Sequence, residues 1–368
     1  MSLRTHADAT PGPEDGPIPS STVPSSTVAR SRGRLIPGLP MPAAIRSRIP
    51  VERVPQPRED RMTSTWRLAK PRKIAAALVA SQAQNSGGWY VAGASTDVGR
   101  KESVTRTIAG REVVFWRDEE GRLVAGPGAC PHLGALMDRC PVFEGTMYCR
   151  WHGLAFDKGG DASWRPYTAV DDGVLIWVQL VTAGEEPTAA PALPPRPPQP
   201  GSVAAVVAQP GTCEPQDVIA NRLDPWHGSW FHPYAFSLLV VDDQASDEHK
   251  MLVDVTFRLS RTWGVPVRAE FSCPDTRTIV MRIIEGEGTG SVVETHATPL
   301  GADAEGRPMT MITEATIAYS DRPGFAAARW ASPVLKPLIR RTARQLWVDD
   351  LDYAERRYEL RQRGEFPG

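Results

Sequence analysis

The chain has 368 residues with 42 basic and 43 acidic side chains, a formal net charge of −1, and only five Cys and seven His. That balance argues against the strongly basic surface of a dedicated nucleic-acid binder. Five Cys in this length do not make a disulfide scaffold, and no apolar run reaches the ~18 residues of a membrane-spanning helix.

The N-terminus has no apolar core of the roughly 7–15 residues that a secretory signal carries. The expected setting is therefore cytoplasmic, with reduced thiols serving metal or redox chemistry. Residues 1–70 are rich in Pro, Ser, Thr and Arg without sustained period, and too little apolar surface is on offer to offset ordering entropy. This leader is expected to be disordered. It carries 12 Arg or Lys between Arg30 and Lys73 against Glu52, Glu59 and Asp60, which reads as a solvated tail ahead of a patch for an acidic partner or anionic membrane. Met62 offers an alternative translation start.

A first domain is expected over 71–184. It opens with an Ala-rich helix from Pro71 to Gln84, followed by strands at Gly88–Ala92, Val104–Ile108 and Glu112–Trp116, with Gly110 as a hairpin turn, and at Val174–Leu180. Residues 187–200 read PTAAPALPPRPPQP, a stiff polyproline-like stretch, so 185–202 is expected to be a linker. The second domain, 203–368, shows strands at Met251–Leu259, Arg277–Ile284 and Met309–Tyr319. One or two helices follow from Ala331 to Arg361, their start broken by Pro333 and Pro337. No internal repeat is visible.

Two constellations carry chemistry. The first is Cys130-Pro-His132, sixteen residues, then Cys149-Arg-Trp-His152, each pair followed by Gly (Gly134, Gly153). Two thiolates and two imidazoles in paired loops suit an iron–sulfur centre, and Gly lets two loops close over it. Structural zinc is the alternative. Zinc motifs usually pair Cys with Cys and His with His locally, whereas each loop here gives one of each. The stretch CPHLGA…YCRWHGLAFD resembles the Rieske [2Fe–2S] domain, from about Gly88 to Leu180. The resemblance implies that Cys130 and Cys149 hold one iron, and His132 and His152 the other. The extra Cys pair of respiratory Rieske proteins is missing, which places the likeness with the oxygenase and ferredoxin branch. Cys140, Cys213 and Cys273 read as small buried hydrophobes.

The second constellation is Asn221-x2-Asp224-x2-His227-x4-His232. Two imidazoles and a carboxylate make a facial triad that leaves open positions on Fe(II). The pattern resembles the N-x2-D-x2-H-x4-H signature of Rieske non-haem iron oxygenases. By that resemblance His227 and His232 bind a mononuclear Fe(II), Asp224 bridges a cluster His to an iron-ligating His, and Asn221 sits beside the iron without ligating it. The third ligand is expected to be Asp350, with Asp349 the alternative. The implied fold is α+β: an antiparallel β Rieske domain plus a helix-backed antiparallel sheet of helix-grip (START-like) type holding the iron.

The resemblance also implies a terminal oxygenase that uses O2 to hydroxylate, desaturate or demethylate an organic substrate. No G-x-G-x-x-G follows a strand, so electrons must come from a separate NAD(P)H-dependent reductase, directly or through a ferredoxin. In this family the cluster of one subunit serves the iron of the next, which implies a homotrimer with Asp224 at the junction. Trp226, Trp230, Phe231, Phe236, Trp263 and Trp330 are candidate pocket lining, most of them expected to be core instead, and the preferred substrate is bulky and apolar. The stretch from Phe325 to Leu346 mixes apolar and basic residues. Packing on its own sheet is favoured there over peripheral contact with a membrane. A different class of reading is an electron carrier, a Rieske ferredoxin fused to a binding domain with an inactive iron site. The presence of His227, His232 and a late Asp favours the enzyme.

Overall fold

The computed structural model describes residues 52–53 and 65–367, apart from 183 and 323. The expectation for the leader thus falls largely outside the described residues. Within them, Glu52–Arg53 (β1) pairs with Trp263 and Gly264, so these two residues form a short strand.

Pro71 starts helix α1 (Pro71–Gln82), where its missing N–H costs nothing, and the Ala-rich run sustains it. α1 was expected to belong with the first domain. Its Ala77 and Leu78 instead pack on Ile219, Ala220, Met251 and Ile279 of the second half.

The first half is built from short antiparallel strands: β2 (Trp89–Ala94), β3 (Val104–Ile108), β4 (Arg111–Arg117), β5 (Leu123–Pro127), β6 (Val142–Phe143), β7 (Thr146–Tyr148), β8 (Ala155–Phe156), β9 (Ala169–Asp171) and β10 (Leu175–Gln179). They form three three-stranded sheets, β2-β10-β9, β3-β4-β5 and β6-β7-β8. Gly110, at φ 74°, supplies the left-handed turn of the β3–β4 hairpin.

The second half is dominated by one antiparallel sheet in the order β11-β17-β16-β15-β14-β13-β12, with β1 added against β14. Its strands are β11 (Val203–Gly211), β12 (Phe236–Val241), β13 (Lys250–Arg258), β14 (Trp263–Asp275), β15 (Thr278–Gly286), β16 (Val292–Ala302) and β17 (Pro308–Ala318). Helices α2 (Pro215–Arg222) and α3 (His227–Phe231) interrupt it after β11. α4 (Phe325–Trp330) and α5 (Ser332–Arg363) follow it.

Period-2 alternation decides what each face meets. On β15, Ile279 packs with the helices and Ile283 with the inner faces of β12–β14, whereas Val280 packs against Trp89, Val174 and Trp177 of the first half. Trp347 and Ala343 of α5 cover Val207, Ala297 and Ile312. The sheet thus lies between its helices and the Rieske-like half.

One expectation based on proline is corrected. Pro333 and Pro337 do not break the late helix: Pro333 lies in the first turn of α5, where no N–H is needed. Pro337 removes one bond, to the carbonyl of Pro333, near an exposed end. The stiff 185–202 stretch is also tied down. Arg196 in its middle is mostly buried and reaches Glu294 of β16 at 2.6 Å and Asp172 at 2.8 Å, fastening the strap to both halves.

Candidate metal centres

The two Cys–His loops are local copies of one another. Cys130 N–H donates to Ala135 O at 2.9 Å and Gly134 N–H to Cys130 O at 2.8 Å. In the second loop, Cys149 N–H donates to Leu154 O and Gly153 N–H to Cys149 O, both at 2.8 Å. Each loop closes on a Gly at positive φ, 73° for Gly134 and 74° for Gly153, a conformation that L side chains rarely adopt. The closure turns Cys130 and Cys149 inward, both buried, and leaves His132 and His152 at the surface with ring centroids 4.9 Å apart.

Burial pushes the Cys130 thiol up and its neighbour Cys149 adds to that, while the N–H groups of His132 and Leu133 point at its sulfur. Inward thiols facing backbone donors, beside outward imidazoles, fit a two-iron cluster held by S2 on one side and N2 on the other. Cys140 is fully buried in the same core and Cys213 is fully buried in another, as expected of small hydrophobes. Cys273 is half-buried. All five cysteines are free.

The second site is assembled from three elements. The turn after α2 carries Asp224, α3 begins at His227, His232 ends it, and Asp350 projects from α5. Nε2 of His227 lies 3.2 Å and Nε2 of His232 2.9 Å from Oδ1 of Asp350. One donor atom from each residue falls within 4.8 Å of the others. Ligand atoms about 2.1 Å from a metal and at right angles to one another stand about 3.0 Å apart, so the spacing fits a facial triad. Asn221 is buried and donates from Nδ2 to Asp350 Oδ1 at 3.1 Å, beside the triad and outside it.

The unpaired atoms point the same way. Asp350 Oδ2, Asp224 Oδ1 and His227 Nδ1 are buried without a hydrogen-bond partner among the described residues. Asp224 approaches His227 Nδ1 only to 3.9 Å, longer than a hydrogen bond. Burial pushes Asp224 up, against His227 and the N–H groups of His227 and Trp226. Burial also opposes ionisation of Asp350, but the two imidazoles and the Arg222 charge hold its carboxyl well below the ordinary range. At His227 burial favours the neutral ring, yet Asp350 and Asp224 outweigh it and raise the pKa.

Asp349, the alternative third ligand, plays another part. Its Oδ2 accepts from Tyr234 Oη at 2.6 Å and lies 3.7 Å from Nδ1 of His232, the nitrogen facing away from the triad.

A partly open cavity of about 70 Å³ adjoins the triad. Its wall is mainly aliphatic and aromatic: Phe236, Leu239, Val253, Val255, Phe271, Ile279, Met281 and Val293. Of the six aromatic residues named from the sequence, only Phe236 lines it. Trp226 is core, while Trp230, Phe231, Trp263 and Trp330 are exposed. The sequence reading missed Arg222, which lines the cavity but is neutralised by Glu314 and bonded to Thr295 Oγ1 at 3.3 Å. It also missed Tyr234 and Phe271.

A family model described as a domain of unknown function, DUF5914, matches residues 182–365, half of the chain. The chain belongs to the DUF5914 family. A second model, the Rieske [2Fe-2S] domain, matches residues 88–179, so this DUF5914 protein carries a Rieske domain ahead of the family region. Curated relatives include the vanillate O-demethylase oxygenase subunit of Pseudomonas sp. (strain HR199), 38% identical over 66 residues, 18% of each chain. Another is the dicamba O-demethylase oxygenase component of Stenotrophomonas maltophilia, 28% identical over 104 residues, 24% of this chain and 30% of that one. The DUF5914 protein thus spans less than a third of the length of these relatives.

Among solved structures, dicamba monooxygenase bound to dicamba aligns over 77% of this chain and 91% of that one, with a TM-score of 0.52 at 18% identity. The fold is that of a Rieske oxygenase α subunit, as the α+β expectation required.

Proposed function

We propose that this DUF5914 protein is the terminal oxygenase of a multicomponent Rieske system. In this reading Cys130, His132, Cys149 and His152 hold a [2Fe–2S] cluster, and His227, His232 and Asp350 hold one Fe(II). The observation that carries it is the convergence of three donor atoms, from His227, His232 and Asp350, on the wall of an apolar cavity in a chain with a Rieske domain. When bound, the cluster supplies single electrons and the ferrous ion supplies dioxygen activation.

The protein's own residues orient and exclude. Asn221 donates to the ligating oxygen of Asp350, which leaves Oδ2 facing Arg222 at 3.8 Å. Tyr234, its hydroxyl donated to Asp349, faces the far nitrogen of His232 at 3.4 Å. The mainly apolar wall suits an apolar substrate. The one cation in that wall, Arg222, is already paired, so an anionic acceptor finds no free counter-charge among the described lining residues. The reading is therefore hydroxylation, demethylation or desaturation of an uncharged, lipophilic compound.

Electrons come from a separate NAD(P)H-dependent reductase, directly or through a ferredoxin, and pass between subunits of a homotrimer. Exposed apolar residues around the imidazole loops, among them Leu133, Trp151 and Leu154, suit burial against a neighbouring subunit. The unpaired atoms of Asp224 and His227 suit a bridge to an imidazole of that neighbour.

Metal analysis with electron paramagnetic resonance on anaerobically purified protein tests the reading. The expected result is a red-brown protein with two cluster irons and one mononuclear iron per chain. Two irons alone favour the electron carrier, and colourless zinc protein rejects both.

A further inference from the structure

We propose that the outer face of α4 and the first half of α5 is a docking surface for an anionic lipid bilayer. It stands on observations separate from the metal sites and does not depend on the oxygenase reading.

The inner face of α5 is fully used, with Ala343 and Trp347 packed on the sheet. The outer face is not. Val334, Leu338, Arg341, Gln345 and Val348 fall at alternating spacings of four and three residues, which places them on one stripe of the helix. Val334 and Leu338 are 66% and 53% exposed, and Trp330 at the end of α4 is 87% exposed. Three apolar side chains open to water on adjacent turns need a partner.

Charge selects which partner. Residues 323–348 carry five cations, Arg329, Lys336, Arg340, Arg341 and Arg344, and no acidic residue. The cations that flank this segment are paired, Arg322 with Glu287 and Arg356 with Glu359. The five within it meet no carboxylate at salt-bridge distance among the described residues. Beside Trp330, a shallow open cleft is bordered by Arg329, Lys336 and the 199–203 segment, which offers an anionic headgroup a seat. Exposed apolar side chains interleaved with unpaired cations are the pattern of a helix lying in a membrane interface, and indole rings settle at headgroup depth. Each cation near an anionic bilayer strengthens binding roughly fivefold. No helix among the described residues is long and apolar enough to cross a membrane.

The full chain is sedimented with vesicles of phosphatidylcholine alone and with vesicles that also contain phosphatidylglycerol. The expected result is partition onto the anionic vesicles only, weakening as salt is raised. An Arg340→Gln/Arg341→Gln/Arg344→Gln variant should lose at least tenfold in partition, and so, independently, should Trp330→Ser/Leu338→Ser. All five positions are exposed, so near-UV circular dichroism should be unchanged; if one variant misfolds, the other decides. Absent binding, equal binding to neutral vesicles, or equal binding by the folded variants overturns the proposal, the last by assigning the contact to the basic leader. So does a change in oligomeric mass caused by these variants without lipid, which would make a second copy of the chain the occupant.

Discussion

Replacing Arg196 by Ala should loosen the attachment between the two metal-bearing halves. The guanidinium bridges Glu294, fully buried on β16, and Asp172, just ahead of β10. Without it, Glu294 keeps only His296 Nε2 at 3.3 Å, and Asp172 keeps Trp177 Nε1 at 2.7 Å and two backbone N–H groups. Removing one partner of a buried pair costs about 3–5 kcal/mol. For a unit of this size that corresponds to a fall in Tm of roughly 5–8 °C. The pH dependence follows from the same contacts. Burial pushes both carboxylates up, but Arg196, with His296 at Glu294, holds each below its ordinary value. A depressed carboxylate stabilises the fold above its unfolded pKa, and that stability is lost as pH falls through the folded value. In Arg196→Ala the burial cost is no longer answered, so protonation relieves the variant first. The Tm gap should be widest near neutral pH and narrow as pH falls toward the ordinary carboxylate range. Calorimetry of both proteins across that range measures it. A variant that melts with wild type, or a gap that does not change with pH, refutes the clasp.

Three further outcomes concern the sites. Asp349→Asn or Tyr234→Phe should lower iron affinity about 10–100-fold, by freeing His232 to turn, while leaving the cluster's absorbance intact; metal titration reads this. Asp224→Asn should keep both metals yet uncouple cluster oxidation from turnover, and normal single-turnover oxidation of the reduced cluster would sink the bridging role. Phe271 lines both the cavity beside the triad and an outer cleft beside α1 bordered by Ala77, Gln84 and Met251. Phe271→Ala should join the two spaces, so that in a series of n-alkylbenzenes the longest chain that raises Tm increases; an unchanged cutoff removes Phe271 as the end wall.

What the sequence disclosed follows from how tightly chemistry restricts residue type. Metal ligands must be Cys, His or carboxylate at short, fixed spacing, so Cys130, His132, Cys149, His152, His227 and His232 stood out. The choice of Asp350 over Asp349 had a further signal. Asp350 lies three residues after Trp347, seven after Ala343 and four before Ala354, on the buried stripe of α5, and Asp349 does not. β14 and β16 escaped notice because their inward positions are not simply apolar. β16 buries Glu294, Thr295, His296 and Thr298, and β14 contains Pro266 and Pro274. Hydrophobic alternation cannot reveal a strand whose inner face is a polar network. Arg196 and Phe271 depend on partners nearly a hundred residues away or on the meeting of two cavities, and no local pattern encodes either.

A neighbouring polar network explains how the triad residues hold position. Asn221 on α2 and Asp350 on α5 touch at 3.1 Å, so the triad's geometry is only as fixed as the packing of those two helices. That packing is bolted lower down: Arg361 reaches Asp217 and Glu214 at 2.8 Å each, and Arg357 also binds Asp217, which is fully buried on α2. At the other end, Arg222 of α2 is stacked 4.7 Å over Trp347 of α5, while Glu314 of β17 binds both Arg222 and the indole N–H. Two cross-links on either side of Asp350 stop α5 from sliding or rolling against α2. Oδ2 of Asp350 is left without a hydrogen bond, its nearest charge in this frame being Arg222 at 3.8 Å, while Oδ1 is held toward the two imidazoles. The helix pair is therefore built to present that carboxylate, and a cation is what would complete it.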